Sequence, residues 1–246
     1  MQVQVLRHFR IVSNGSVVEV GHAGERLVAY LALEDHTRTR NQVAGALWPE
    51  AAQYQAAASL RRALSIVRRL APDLIRREAN RLSLQSWVSV DAQAQRHLID
   101  AITTGQRDSA DGVELRLLGG DLLPDWDEYW LAAAREELRL LRLLSLEAVA
   151  AAHVAACRHA AGLNAALLVA REEPLRESAH RLVIQAHLAQ GNQAQAAQQY
   201  LRYRGLLWDD LRLLPSPDLQ ALAEPLVREA ARRTRPSRAG VPLTSR

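Results

Sequence analysis

The apolar positions of this chain change period along its length, and the changes divide it. Residues 2–12 are rich in strand formers and partly alternate. Asn14-Gly15 marks a hairpin turn, after which Val17–Val20 resumes the strand pattern. Leu27, Val28, Tyr30, Leu31 and Leu33 then fall at helical spacing. Thr39-Arg40-Asn41-Gln42 has the form of a capping box: the Thr hydroxyl accepts from an orphan backbone N–H while Gln reaches back. The helix it opens carries Val43, Ala46, Leu47 and Trp48, and Pro49 stops it. A third helix is predicted over about Tyr54–Leu70, closed by Pro72. Leu74–Arg77 and Leu82–Leu84 read as a hairpin around Ala79-Asn80, with Asn80 tolerating the positive φ of the turn. Strands, three helices and a terminal hairpin in residues 1–90 are the order of a winged helix-turn-helix.

Beyond residue 90 the pattern is helical. Leu131–His159 is a long amphipathic stretch that Gly162 is expected to end. Helices follow at about 163–171, 175–190, 193–208 and 217–233. Gly191 breaks one pair, and Ser216 and Pro217 suit the N-cap and first position of the last helix. The hairpins recur loosely, near the tetratricopeptide period of roughly 34 residues. The fold class expected is therefore α+β: a winged helix over 1–90, an all-α tetratricopeptide-like domain over 91–229, and a disordered tail over 230–246 rich in Arg, Pro, Ser and Gly.

Charge adds a direction to this layout. All 31 basic residues are Arg. Residues 1–90 hold 12 Arg against 7 acids, residues 91–229 hold 14 against 20, and residues 230–246 hold 5 and no acid. A basic first third suits a polyanion, and the acidic middle does not. From Ala51 to Pro72 there is no acidic residue. On a helix, Leu60, Leu64 and Val67 form the stripe that must face the core. The opposite face then presents Gln55, Ser59, Arg62, Ile66 and Arg69, flanked by Arg61, Ser65 and Arg68. Arg pairs bidentately with guanine O6 and N7 or bridges phosphate oxygens, and Ile66 suits a thymine methyl. Ser59–Leu70 is thus the expected recognition helix. Ser59, Arg62, Ile66 and Arg69 are the candidates for base edges, and Arg61 and Arg68 for the backbone. Arg76, Arg77 and Arg81 on the hairpin are candidates for phosphate or minor-groove contact.

Other chemistry is weakly represented. No apolar run approaches the roughly 18–20 residues of a membrane span, and the first ten residues carry no apolar signal core. A cytoplasmic, nucleoid-associated protein without membrane contact is expected. The single Cys157 forms no internal disulfide. His153 and Cys157 stand at i, i+4, near His159, but zinc wants four such ligands, so no metal and no cofactor is expected. His180 and His187 read as core or interface residues, and Trp48, Trp87, Trp126, Trp130 and Trp208 as core anchors. No nucleophile elbow or phosphate loop points to an enzyme.

Thr39–Leu70 resembles the DNA-binding domain of the streptomycete antibiotic regulatory proteins, through Ala46-Leu47-Trp48-Pro49, Ala58-Ser59-Leu60-Arg61, Leu64-Ser65 and Val67-Arg68-Arg69-Leu70. Val88-Ser89-Val90-Asp91 resembles that family's junction into its bacterial transcriptional activator domain. Gly120-Asp121-Leu122-Leu123-Pro124 with Trp126 and Trp130, Glu173-Pro174-Leu175-Arg176-Glu177, and Pro215-Ser216-Pro217 resemble that second domain. The resemblance implies activation of transcription by a homodimer on direct repeats in promoter DNA, in contact with RNA polymerase holoenzyme. It makes Glu50–Tyr54 the polymerase-facing loop. The sequence departs from the family pattern at three places: Ala79-Asn80 stand for Gly-Tyr in the wing, Arg212 stands for Gly, and Ala94 and Gln95 stand where an aromatic is usual. Arg212 is expected to change a helix end. No nucleotide-binding domain is expected after the helical one, and no receiver domain ahead of the winged helix, so no phosphorylation switch is expected. A second reading, from another class, is a helical-repeat adaptor for a protein or small ligand whose winged domain no longer reads DNA.

Overall fold

The computed structural model describes residues 1–34, 36–106 and 115–234, with side chains through 228. Most of the basic tail lies outside them. The chain divides into two compact units, Met1–Gln106 with Glu114–Leu143, and the chain from Leu144 onward.

The first unit opens with β1 (Gln2–Gln4), β2 (Arg10–Ser13) and β3 (Ser16–Val17). Asn14 and Gly15 both take positive φ in the turn between β2 and β3, as hairpin twist requires. The strand resumes for only two residues there; Val18–Val20 lead directly into α1 (Gly21–Leu33). Next come β4 (Arg38–Thr39), α2 (Arg40–Leu47) and α3 (Gln53–Leu70). The wing is β5 (Ile75–Glu78) and β6 (Arg81–Leu84), followed by β7 (Ser89–Val90) and α4 (Asp91–Thr103). One sheet has the order β3-β2-β1-β7, with β7 parallel to β1 and the rest antiparallel; the other has the order β4-β6-β5. This is a winged helix-turn-helix. Positive φ in the wing turn falls on Ala79, not on Asn80.

The first unit runs on past the expected domain boundary, and particular contacts explain why. The Asp91 carboxylate accepts from the N–H groups of Val5 and Leu6, at 2.8 and 3.1 Å, tying α4 to the strand end. The ring of Trp126 packs on Phe9, and that of Trp130 stands edge-on to Tyr30. Glu128 accepts from Arg26 and from the Trp130 indole. Arg135, on α5 (Leu131–Ala155), donates to the carbonyls of Leu122, Leu123 and Trp126. Trp48, Trp126 and Trp130 are partly buried, but Trp87 is 53% exposed and Trp208, in the second unit, 48%. Those two are not core anchors, since about half of each side chain stays open to solvent.

The second unit layers the end of α5 with α6 (His159–Glu172), α7 (Glu177–Ala189), α8 (Gln193–Leu211) and α9 (Pro217–Thr234), each helix from α6 packing on the next. The first residues of α6 and α8 stand one tetratricopeptide period, roughly 34 residues, apart. Its core joins Ile184, Ala196, Tyr200, Tyr203, Leu207, Leu219 and Ala223. Gly162 does not end the long helix. α5 stops at Ala155, Cys157 turns the chain at φ 58°, and Gly162 lies inside α6. A Cβ there would sit 2.8 Å from Val154 Cγ2 and 3.0 Å from the Ala150 carbonyl oxygen, so glycine allows the two helices to touch. Cys157 is consequently off the helix that carries His153. Among the described residues no cluster of His, Cys, Asp and Glu is placed to hold a metal.

His180 is buried between α7 and α8. Its ring stacks on Tyr203 with centroids 4.3 Å apart, its Nε2 lies 2.8 Å from the Pro174 carbonyl, and Gln199 Nε2 meets its Nδ1 at 2.7 Å. Arg212 keeps the helix end it was expected to alter. It adopts φ 57°, its N–H caps the Trp208 carbonyl at 3.0 Å, and its guanidinium covers the Trp208 ring.

Candidate nucleic-acid interface

Two helices set this surface. α2 begins with the expected capping box: Gln42 N–H donates to Thr39 Oγ1 at 3.3 Å, and Thr39 N–H donates to Gln42 Oε1 at 2.9 Å. Satisfied end groups hold the helix start in place, because orphan donors would otherwise seek water. α3 buries Ala56, Leu60, Ala63, Leu64 and Val67 along one side. Arg61, Arg62, Ser65, Arg68 and Arg69 are exposed, while Ser59 and Ile66 are half-buried at the edge. The outward centre of α3 is therefore Arg62, Ser65 and Arg69. Reading from Leu60, Leu64 and Val67 alone tilts the face toward Ser59 and Ile66; the burial of Ala56 and Ala63 turns it back. Gln55 is committed in part to its own helix start, accepting from Ala52 N–H at 3.3 Å.

Among the described residues, no ion pair engages Arg61, Arg62, Arg68 or Arg69. The wing arginines differ. Arg77 pairs across the ribbon with Leu82, and both share the face of buried Ile75, so Arg77 points inward to α3. Its Nη2 donates to the Leu64 carbonyl at 3.0 Å. Burial first, then the neighbouring guanidiniums of Arg68 and Arg40, pull Arg77 below the ordinary arginine pKa. Arg76 and Arg81 lie on the other face. Arg76 is paired with Glu78, and Arg81 donates to the hydroxyl and carbonyl of Thr37 at 2.7 and 3.1 Å.

Sequence reasoning passed over Arg40 and, as a single side chain, Tyr54. Arg40 is the first residue of α2, and its N–H donates to the Asn80 carbonyl of the wing turn at 2.9 Å. The charges of Arg68 and Arg40 both act on Arg77, so α2, α3 and the wing bring like charges within electrostatic reach of one another. The signal was available: the first helix of a helix-turn-helix crosses the nucleic-acid backbone. Tyr54 stands 72% exposed in the first turn of α3.

A family model described as the bacterial transcriptional activator domain matches residues 92–227. Among curated proteins, Regulatory protein AfsR of Streptomyces coelicolor is 29% identical over 233 residues, which cover 89% of this chain and 23% of AfsR. AfsR of Streptomyces griseus is 27% identical over 226 residues, 86% of this chain and 23% of its own. The chain thus spans less than a quarter of the length of these relatives. Among solved structures, Mycobacterium tuberculosis EmbR in complex with a low affinity phosphopeptide matches with a TM-score of 0.72 at 23% identity, over 93% of this chain and 65% of that one. That likeness concerns the fold alone.

Proposed function

The chain belongs to the bacterial transcriptional activator domain family; on that premise we propose that it is a transcriptional regulator of the streptomycete antibiotic regulatory protein type and binds double-stranded promoter DNA through the exposed face of α3. The observation that carries this reading is the outward row Arg62, Ser65 and Arg69, set in an acid-free stretch on a helix whose other side is fully committed to the core. α3 enters the major groove. Arg62 and Arg69 pair with guanine edges, and Ser65 hydrogen-bonds between them. Ser59 and Ile66 touch base edges from the side, with Ile66 against a thymine methyl. Arg61 and Arg68 hold phosphates. Arg40 and Arg77 share a phosphate with Arg68. Arg76 and Arg81 reach DNA only by exchanging their present partners for it.

Two copies act on a direct repeat, and the segment Glu50–Tyr54, a loop that runs into the first turn of α3 with Tyr54 projecting, turns toward RNA polymerase holoenzyme and activates transcription. The protein works in the cytoplasm on the nucleoid. No helix among the described residues is long and apolar enough to cross a membrane.

Selection and sequencing of genomic fragments bound by the purified protein, repeated across a salt series, tests the reading. The expected result is a repeat with half-sites near one helical turn apart and affinity falling steeply with salt. Absence of both a selected fragment and a salt slope would favour the helical-repeat adaptor instead.

A further inference from the structure

α8 commits one side to the core, through Ala196, Ala197, Gln199, Tyr200, Tyr203 and Leu207. Its other side interrupts the polar face expected of a surface helix with exposed apolar groups. Leu201 and Trp208 lie there one heptad apart, 39% and 48% exposed. Gly205 stands between them, and a Cβ on it would meet nothing within 4 Å. Glycine in a helix interior weakens the helix, and no contact among the described residues calls for it. A second backbone approaching closely would. Arg202 and Asp209 flank the stripe, also a heptad apart and both exposed, and neither is ion-paired among the described residues.

The order of these groups is self-complementary. Turned about a two-fold axis beside Gly205, α8 of a second copy runs antiparallel to the first. Arg202 of one copy then meets Trp208 and Asp209 of the other, and the same contacts repeat on the far side of the axis. A two-fold contact requires such reversal of charge along one patch.

We propose that this face of α8 is the interface through which two copies of this chain pair. The proposal rests on the reading that two copies act together on DNA, and it supplies the surface. It constrains the helical unit alone, so the orientation of the DNA half-sites is decided separately.

Sedimentation equilibrium of the whole chain without DNA tests it. The wild type should be a dimer in the micromolar range. Arg202→Asp and Asp209→Arg should each weaken pairing at least about tenfold, because each sets like charges opposite one another. Mixing the two variants should restore a dimer, and so should R202D/D209R within one chain. Gly205→Leu should block the approach without loss of helical circular dichroism. A wild type monomeric throughout, or charge-swapped pairs that fail to recover, would overturn the proposal and leave the face to another partner such as a polymerase subunit. Fluorescence anisotropy on DNA carrying a single half-site reports α3 independently. Loss of DNA binding with an intact dimer sinks the reading of α3 and not this one.

Discussion

On α3 four arginines stand in a stretch without an acid, whereas Arg176, at the head of α7, is held by both carboxylate oxygens of Glu147 at 2.8 Å each. Glu147 also accepts from Ser178. In the same unit Glu177 takes the Ser216 N–H at 2.8 Å, and Ser216 in turn caps α9. One residue type thus has two uses. Where the chain supplies a carboxylate in reach, arginine becomes part of the fold, joining helices across the layers. Where it supplies none, the guanidinium keeps its capacity for an anion from outside. The wing lies between these limits: Arg77 braces α3 through the Leu64 carbonyl while adding positive charge beside Arg68.

The contrast can be broken at its strongest point first. Glu147→Ala removes the acceptor shared by Arg176 and Ser178, and should cost about 2–4 kcal/mol of stability. Thermal unfolding reads the loss, while DNA affinity of the folded fraction stays unchanged. Arg62→Ala and Arg69→Ala should do the reverse: roughly 1–3 kcal/mol of specific DNA binding lost by anisotropy, with the melting temperature unmoved. A drop in melting temperature instead would make these arginines structural and erase the comparison. Arg68→Ala sharpens it further. Binding should weaken alike on selected and random duplexes, with the salt slope reduced by about 1.

The smallest effect is a pH dependence confined to the helical unit. Burial is the largest influence on His180 and lowers its pKa; Arg202 lowers it further, while the bond to the Pro174 carbonyl and the charge of Glu177 oppose the shift. Burial lowers His187 as well. The fold therefore prefers neutral imidazoles. Their stabilisation is complete above the unfolded value near 6.5 and is lost as pH falls through the lower folded values. Denaturant midpoints between pH 7.5 and 5 should decline for the wild type, and decline less for His180→Gln. An equal decline in that variant would place the pH sensitivity elsewhere.

Much of the local structure is written in adjacent residues. Thr39 and Gln42 close their capping box three residues apart, Asn14-Gly15 turns a hairpin, and Ser216-Pro217 starts α9. The apolar stripe of α3 placed its arginines outward because helical period needs no knowledge of the partner. The candidate site was legible to that extent. Which side chains centre the face was not: Ala56 is too small to mark a core side until the neighbouring helices cover it.

What the sequence determined by itself is the order of helices and strands, their caps and turns, and an acid-free cationic helix, since each depends on groups within a few residues of one another. Tertiary structure alone decided the rest. Gly162 looked like a helix end until α6 was seen to lie against Ala150 and Val154. Trp126 and Trp130 became braces for the winged helix because Phe9 and Tyr30, about a hundred residues earlier, face them. Arg77 turned inward because the register sets it on the same face as Leu82. In each case the deciding partner is distant along the chain, and spacing along a sequence carries no information about contacts made only when the chain folds back on itself.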